Sequence, residues 1–223
     1  MPQRSEGCAA PGDGSERLHI LSHRGYWRDA SEKNSQIAFR RSFDLGFGTE
    51  TDLRDCAGTL VISHDMPKGG EMTLDDFLAL YGDSNLPLAL NIKADGMADM
   101  LCAALRRANV VNWFAFDMSI PDTRGYLRAG APVFMRMSEV ERDPPWMDRA
   151  AGVWLDAFDE NWFDAATLEA LLNKTRICVV SSELHGRDAA ELWRQLAPFK
   201  HRDALLLCTD RPEEARDFFG AQA

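Results

Sequence analysis

A chain of 223 residues, 45% hydrophobic and 27% charged, carries enough apolar material for one sizeable core and nothing that demands a second domain, a fibrous structure or disorder. Lysine and arginine number 25 against 35 aspartates and glutamates, and the resulting net charge of -10 argues against nucleic acid or an anionic membrane surface as a partner. Five scattered cysteines without a C-x-x-C pair fit a disulfide framework poorly, so reduced thiols in a cytoplasmic protein are expected.

Residues 1–16 are polar, hold several glycines and serines, and lack the apolar stretch of a secretory signal. They read as a flexible tail ahead of a single domain over 17–223. No apolar run reaches the roughly 18–20 residues needed to cross a bilayer, so no stable membrane anchor is expected. Leu18 to Ser22 favours a strand that His23, Arg24 and Gly25 bring to an end. Asn34-Ser35 can cap a helix that stops at Gly46. Gly48 to Asp55 is extended, Gly58 turns the chain, and Thr59 to Ser63 returns as a hairpin arm ending at His64. Thr73 then caps a short helix through Tyr81.

Leu86 to Lys93 reads as strand and Met97 to Ala108 as helix. Asn112 to Met118 is strand, Asp122 to Ala129 a short helix, and Pro132 to Met137 strand. Glu141 to Arg149, broken by Pro144-Pro145, is irregular or partly helical. Val153 to Phe158, Arg176 to Ser181 and Ala204 to Thr209 are strands, alternating with helices at Asp164 to Asn173, Asp188 to Pro198 and Pro212 to Phe219. Leaving the hairpin arm aside, that makes eight strands alternating with helices. The pattern predicts an α/β fold, a (β/α)8 TIM barrel with a short β-hairpin and helix inserted after the second strand. An open doubly wound sheet is the runner-up, and the first strand lacks the G-x-G-x-x-G turn that a dinucleotide-binding sheet would carry.

In a barrel, polar residues at the strand ends share one face, where active sites sit. His23 and Arg24 end the first strand, Glu50 and Asp52 lie on the second, His64 ends the hairpin arm, and Asn91 and Lys93 end the next strand. Within each pair, Glu50 with Asp52 and Asn91 with Lys93, the spacing of two puts both side chains on one side. Two carboxylates and an amide oxygen suit a hard divalent cation, Mg²⁺ or Ca²⁺. Imidazoles titrate near neutrality, so His23 and His64 are candidates for base and acid. Arg24 and Lys93 supply the positive charge a phosphate needs. Metal, acid-base pair and cations together describe phosphodiester cleavage better than sugar or acyl chemistry.

These motifs resemble the glycerophosphodiester phosphodiesterase family, barrels akin to phosphatidylinositol phosphodiesterases. His23-Arg24-Gly25, Glu50-x-Asp52, the Gly58 turn and His64-Asp65 follow its order and spacing. Asn34-Ser35 is similar to the second half of its Pro-Glu-Asn-Thr element, Phe116-Asp117 to its Ser-Phe-Asp strand, and Thr209-Asp210-Arg211-Pro212 to its closing Thr-Asp-x-Pro. The resemblance implies His23 and His64 as the catalytic pair, Arg24 as a phosphate ligand, Glu50 and Asp52 as metal ligands, and Lys93 as the cation of a Glu-x-Lys strand. Asn91 departs from it, standing where the family presents a metal-binding Glu and the related sphingomyelinase D enzymes an Asp. A glycerophosphodiester is therefore the expected substrate, with a catalytically impaired phosphate-binding barrel or a phospholipase-type enzyme releasing a cyclic phosphate as alternatives.

Weaker candidates lie at later strand ends. Glu183 and His185 follow the seventh strand, while Arg136 and Asp156 end the fifth and sixth. Any of these can equally be a rim ion pair. His19 and His201 read as hydrogen-bonded or surface residues, and most tryptophans as packing, with Trp27 placed to border a substrate.

Overall fold

Leu88–Ile92 is buried at all five positions, a pattern that suits a strand covered on both faces, as in a parallel sheet flanked by helices. The computed structural model describes residues 18 to 220, so the expected N-terminal tail and Cys8 lie outside it. The strands are β1 (His19–His23), β2 (Gly48–Cys56), β3 (Thr59–Ile62), β4 (Leu88–Ile92), β5 (Trp113–Phe116), β6 (Phe134–Met137), β7 (Gly152–Leu155), β8 (Arg176–Val180) and β9 (Leu205–Thr209). The α-helices are α1 (Gln36–Asp44), α2 (Leu74–Tyr81), α3 (Ala98–Arg107), α4 (Ile120–Ala129), α5 (Ala165–Leu172), α6 (Ala190–Leu196) and α7 (Pro212–Gly220). Expected caps are in place: Ser35 accepts from Ala38 N–H and Thr73 from Asp76 N–H.

Eight parallel strands run in the order β5-β4-β2-β1-β9-β8-β7-β6. The ring closes between β5 and β6 through one bridge, Ala115 to Val133, and an Ala115 N–H bond to Pro132 O of 2.9 Å. The result is a nearly closed (β/α)8 TIM barrel. The hairpin arm β3 pairs antiparallel with the outer half of β2, and α2 completes the path to β4. Among the described residues, the connection from β6 to β7 is the one link between successive parallel strands that lacks a helix, and it is the stretch where Pro144-Pro145 interrupts the chain.

Side-chain alternation sorts the core into an inside and an outside. The interior cluster holds Leu21, Ala89, Phe114, Phe116, Phe134, Trp154, Cys178, Val180, Leu206 and Cys208. Ring pairs Phe114–Phe134 and Phe116–Trp154 stack at 3.8 Å across it. Gly152 makes room for this layer, because a Cβ there would meet the Phe134 ring at 2.4 Å. Outward residues such as Leu88, Leu90 and Ile92 pack beneath α1 to α4, while Val153, Ile177 and Leu205 pack beneath α5 to α7.

The same parity lifts polar residues into the barrel mouth. Two positions beyond an inward apolar residue come His23 after Leu21, Asn91 after Ala89, Arg136 after Phe134, Asp156 after Trp154, and Asp210 after Cys208. Cys56, Cys102, Cys178 and Cys208 are unpaired. No helix among the described residues is long and apolar enough to cross a membrane.

Candidate active site

The β1 turn is shaped by two left-handed residues, Arg24 at φ 60° and Gly25 at φ 79°. Gly25 also lies against α1, where a Cβ would approach Ala38 to 2.8 Å, so both conformation and space require glycine. Backbone bonds from Arg24 N–H to Glu50 O at 3.0 Å and from Gly25 N–H to Thr49 Oγ1 at 3.0 Å pin this turn to β2. His23 and Glu50 are register partners across β1 and β2, as are Asp52 and Asn91 across β2 and β4. Strand pairing thus brings together four residues spread over 69 positions of sequence, from 23 to 91.

Asp52 is fully buried and heavily tied down. Arg24 Nε lies 3.0 Å from Oδ2, Asn34 Nδ2 donates to Oδ2 at 2.8 Å, and Lys93 Nζ stands 3.4 Å from Oδ1. Asn34 is itself held by a Thr51 hydroxyl that donates to its Oδ1 at 2.9 Å. Glu50 is also buried but has far less support: the Arg24 backbone N–H reaches Oε2 at 3.2 Å and His23 Nε2 lies 4.0 Å away. Burial and the neighbouring Asp52 charge push its carboxyl up to about 7, against the opposing charges of His23, Arg24 and Lys93.

His23 is gripped from the far side. Its Nδ1 lies 2.8 Å from Asp210 Oδ1, at the end of β9. Burial works to raise the Asp210 carboxyl, yet the hydrogen bond and charge of His23 prevail and hold it below the usual carboxylate value. An ionised carboxylate only accepts, so Nδ1 carries the proton and Nε2 is left facing Glu50. Glu183 braces this arrangement from β8, accepting from the Ser181 and Thr209 hydroxyls and, at 3.1 Å, from Asp210 N–H. Trp27 caps the turn, donating from Nε1 to His23 O at 3.2 Å with the Lys33 ammonium over its ring.

His64 stands on the same rim, after β3, and is 44% exposed, with Nδ1 2.9 Å from Asp65 Oδ1. No hydrogen bond joins it to His23 or to the Glu50–Asp52 pair among the described residues. The remaining candidates are taken up in ion pairs: Arg136 with Asp117 at 3.3 Å and Glu141 at 2.7 Å, and Asp156 with His185 at 2.7 Å. His19 bonds Asp203 at 2.7 Å. Sequence pattern alone gives Asp210 and Asp117 no site role and offers Asn34 only as a helix cap, although each sits in a motif singled out above. What was missing was the pairing of β1 with β9 and of the Asn34 loop with β2.

A divalent cation suits this donor set. Asp52 Oδ1 and Asn91 Oδ1 are buried without a hydrogen-bond partner, and with Glu50 they make up a hard oxygen set. Among the described residues no three His, Cys, Asp or Glu side chains are placed to hold a metal ion together.

No protein-family model and no curated protein matches the chain. Among solved structures, it is similar to a glycerophosphodiester phosphodiesterase from Parabacteroides distasonis, at 16% identity and TM-score 0.67, over 94% of this chain and 99% of that one. A glycerophosphodiester phosphodiesterase from Agrobacterium tumefaciens follows at 19% identity and TM-score 0.65, over 92% and 98% of the two chains. An Oleispira antarctica phosphodiesterase in complex with the product sn-glycerol-3-phosphate matches at 14% identity and TM-score 0.61, over 92% and 97%. At these identities the likeness establishes the fold.

Proposed function

We propose that the protein is a phosphoric diester hydrolase acting on a small phosphodiester, a glycerophosphodiester first among them. One observation carries the reading: a carboxylate-held histidine faces the buried Glu50, and an arginine and a lysine pair with the buried Asp52 two residues on, at the C-terminal face of a TIM barrel. The motif resemblance and the fold of the similar solved structures support it. In this reading Glu50, Asp52 and Asn91 hold Mg²⁺ or Ca²⁺, which when bound supplies Lewis-acid polarisation of a phosphoryl oxygen.

The chain's own side chains do the rest. Arg24 and Lys93 orient the phosphate and offset the charge that builds on it. His23 Nε2, with Nδ1 locked by Asp210, takes a proton from the attacking hydroxyl or returns one to the departing oxygen. His64 is the second acid-base group, and its support is that a carboxylate, Asp65, holds its Nδ1 as Asp210 holds that of His23. The cytoplasm is the compartment assigned in this reading, with the unpaired cysteines in its favour.

The test is hydrolysis of glycerophosphocholine and of bis(p-nitrophenyl) phosphate with Mg²⁺, Ca²⁺ or Mn²⁺ and with EDTA. Metal-dependent turnover of either is the expected result, and phosphorus NMR of the product separates hydrolysis from release of a cyclic phosphate. Phosphate binding without turnover of any diester would overturn the enzyme reading. It would favour a phosphate-binding barrel, an alternative that rests on the neutral Asn91 in the carboxylate shell.

A further inference from the structure

Where β8 and β9 reach the barrel mouth, a side chain takes over from the backbone. Val180 and Cys208 are register partners, and Ser181 N–H bonds Cys208 O at 2.9 Å. In a parallel ladder the next bond would run from Asp210 N–H back to Ser181 O. That carbonyl is occupied instead by Leu184 N–H at 3.0 Å, because the chain enters one turn of 3-10 helix at Ser182–His185. Gly186 ends the turn in a left-handed conformation, φ 73°, and donates its N–H to Glu183 O at 3.0 Å. Asp210 N–H is left for the Glu183 side chain, whose Oε1 accepts it at 3.1 Å.

Both oxygens of Glu183 are fixed. Oε1 also accepts from the Thr209 hydroxyl, and Oε2 accepts from the Ser181 hydroxyl. Each hydroxyl in turn accepts from a further donor: Arg211 N–H reaches Thr209 Oγ1 at 3.0 Å, and Trp193 Nε1 reaches Ser181 Oγ at 2.8 Å. Ser181 and Thr209 are wholly buried, and Trp193 on α6 packs against Phe218 and Phe219 on α7. A continuous set of bonds therefore runs from the helix layer through Ser181 and Glu183 to the Asp210 peptide, and from Asp210 Oδ1 to His23 Nδ1 at 2.8 Å. The donors that Glu183 meets are uncharged hydroxyl and amide groups, so its carboxyl fixes geometry rather than answering a positive charge.

We infer that Glu183 is a positioning residue for the acid-base group His23. By holding the Thr209–Asp210 peptide it aims Asp210 Oδ1 at His23 Nδ1, which keeps the proton on Nδ1 and leaves Nε2 for the reacting proton. The inference rests on the phosphodiesterase reading and adds to it a residue that acts through Asp210. Because Oε1 alone makes both bonds to β9, three substitutions separate its contributions. Glu183→Gln keeps an oxygen for β9 and changes the contact with Ser181. Glu183→Asp keeps the charge but, one methylene shorter, loses the reach. Glu183→Ala loses both.

Proton NMR of protein carrying isotope-labelled histidine reads the arrangement directly. An imidazole N–H bonded to a carboxylate gives a far-downfield, slowly exchanging resonance, and His23→Ala assigns that of His23. Glu183→Ala and Glu183→Asp are expected to lose this resonance and to lower kcat by about 10- to 100-fold, the effect of a misplaced reacting group, with KM little changed. Glu183→Gln should keep the resonance and recover most of kcat. The resonance of the His185–Asp156 pair, whose histidine shares the 3-10 turn with Glu183, should persist in all three variants. A His23 resonance that survives both Glu183→Ala and Glu183→Asp, its loss together with that of His185, or Glu183→Gln behaving as Glu183→Ala does, overturns the inference. The resonances are read in the resting protein. If they behave as expected while no diester is hydrolysed, the hydrolase reading falls and the positioning of His23 by Glu183 stands.

Discussion

The two halves of the barrel mouth are built from similar side chains and treat them differently. On β9, β1, β2 and β4, charged groups are brought together and left with atoms to spare: His23 Nε2, the Glu50 carboxyl, Asp52 Oδ1 and Asn91 Oδ1. On β6 to β8, Arg136 is held by Asp117 and Glu141, and Asp156 by His185 and the Ala157 N–H, with Asp117 Oδ1 the one buried carboxylate oxygen of these pairs that lacks a hydrogen bond. Beneath that second half lie the stacked rings of Phe114, Phe134, Phe116 and Trp154. Burial and the neighbouring Asp52 charge push the Glu50 carboxyl up to about 7, and burial raises the Asp117 carboxyl on the other half. Residue type therefore says little about which half is reactive. The gathering of unpaired oxygens says more: Asp52 Oδ1 and Asn91 Oδ1 belong to register partners, whereas Asp117 Oδ1 has no such neighbour among the unpaired atoms.

Exchanging a histidine on each side gives the largest contrast. His23→Ala is expected to lower kcat by about 10²-fold or more, the usual worth of a positioned acid-base group, in an assay of diester hydrolysis. His185→Ala should leave kcat near the parent value. It strips a buried carboxylate of its ion pair, so the melting temperature should fall, by a stability loss of about 1–3 kcal/mol. A large kcat loss in His185→Ala would break the distinction between the halves.

A second test completes the incomplete shell. Asn91→Asp adds the missing carboxylate and is expected to tighten Mg²⁺ or Ca²⁺ binding by about tenfold, since affinity in such sites follows ligand charge. Calorimetric titration with the metal alone reads this without reference to activity, and unchanged affinity would remove Asn91 from the donor set.

The smallest expected effect is in the pH dependence of stability. Asp210 has a folded value below its unfolded one, about 3.9, so its contribution is fully present above about pH 4 and is lost as the pH falls through the lower folded value. Asp210→Asn should therefore melt below the parent protein at pH 6. The gap should narrow as both are taken below pH 4, and a constant gap would mean that the charge of Asp210 adds nothing to stability.

Much of the architecture was legible along the chain because local signals agreed. Ser35 and Thr73 cap helices where their side chains predicted, and Pro144-Pro145 marks the link between parallel strands, among the described residues, that has no helix. The candidate site was legible in part for a related reason: a spacing of two, as in Glu50-x-Asp52, translates directly into one face of a strand. His23 and Asp210 could not be paired by such reasoning, because the 187 positions between them are bridged only when β1 lies beside β9. Nor could the local pattern foresee Asp117 turning out of strand parity to meet Arg136.

By itself the sequence determined the alternation of strands and helices, the polar residues that end the strands, and the neutral amide at position 91. Periodicity, capping and turn chemistry are local, and a reader of the chain has access to all of them. Tertiary structure alone decided which charges are satisfied. Closing the ring set Asp52 among Arg24, Asn34 and Lys93, gave His23 to Asp210, and left Glu50 buried without a cation of its own. Burial and partnership are properties of packed neighbours, and here those neighbours come from opposite ends of the chain.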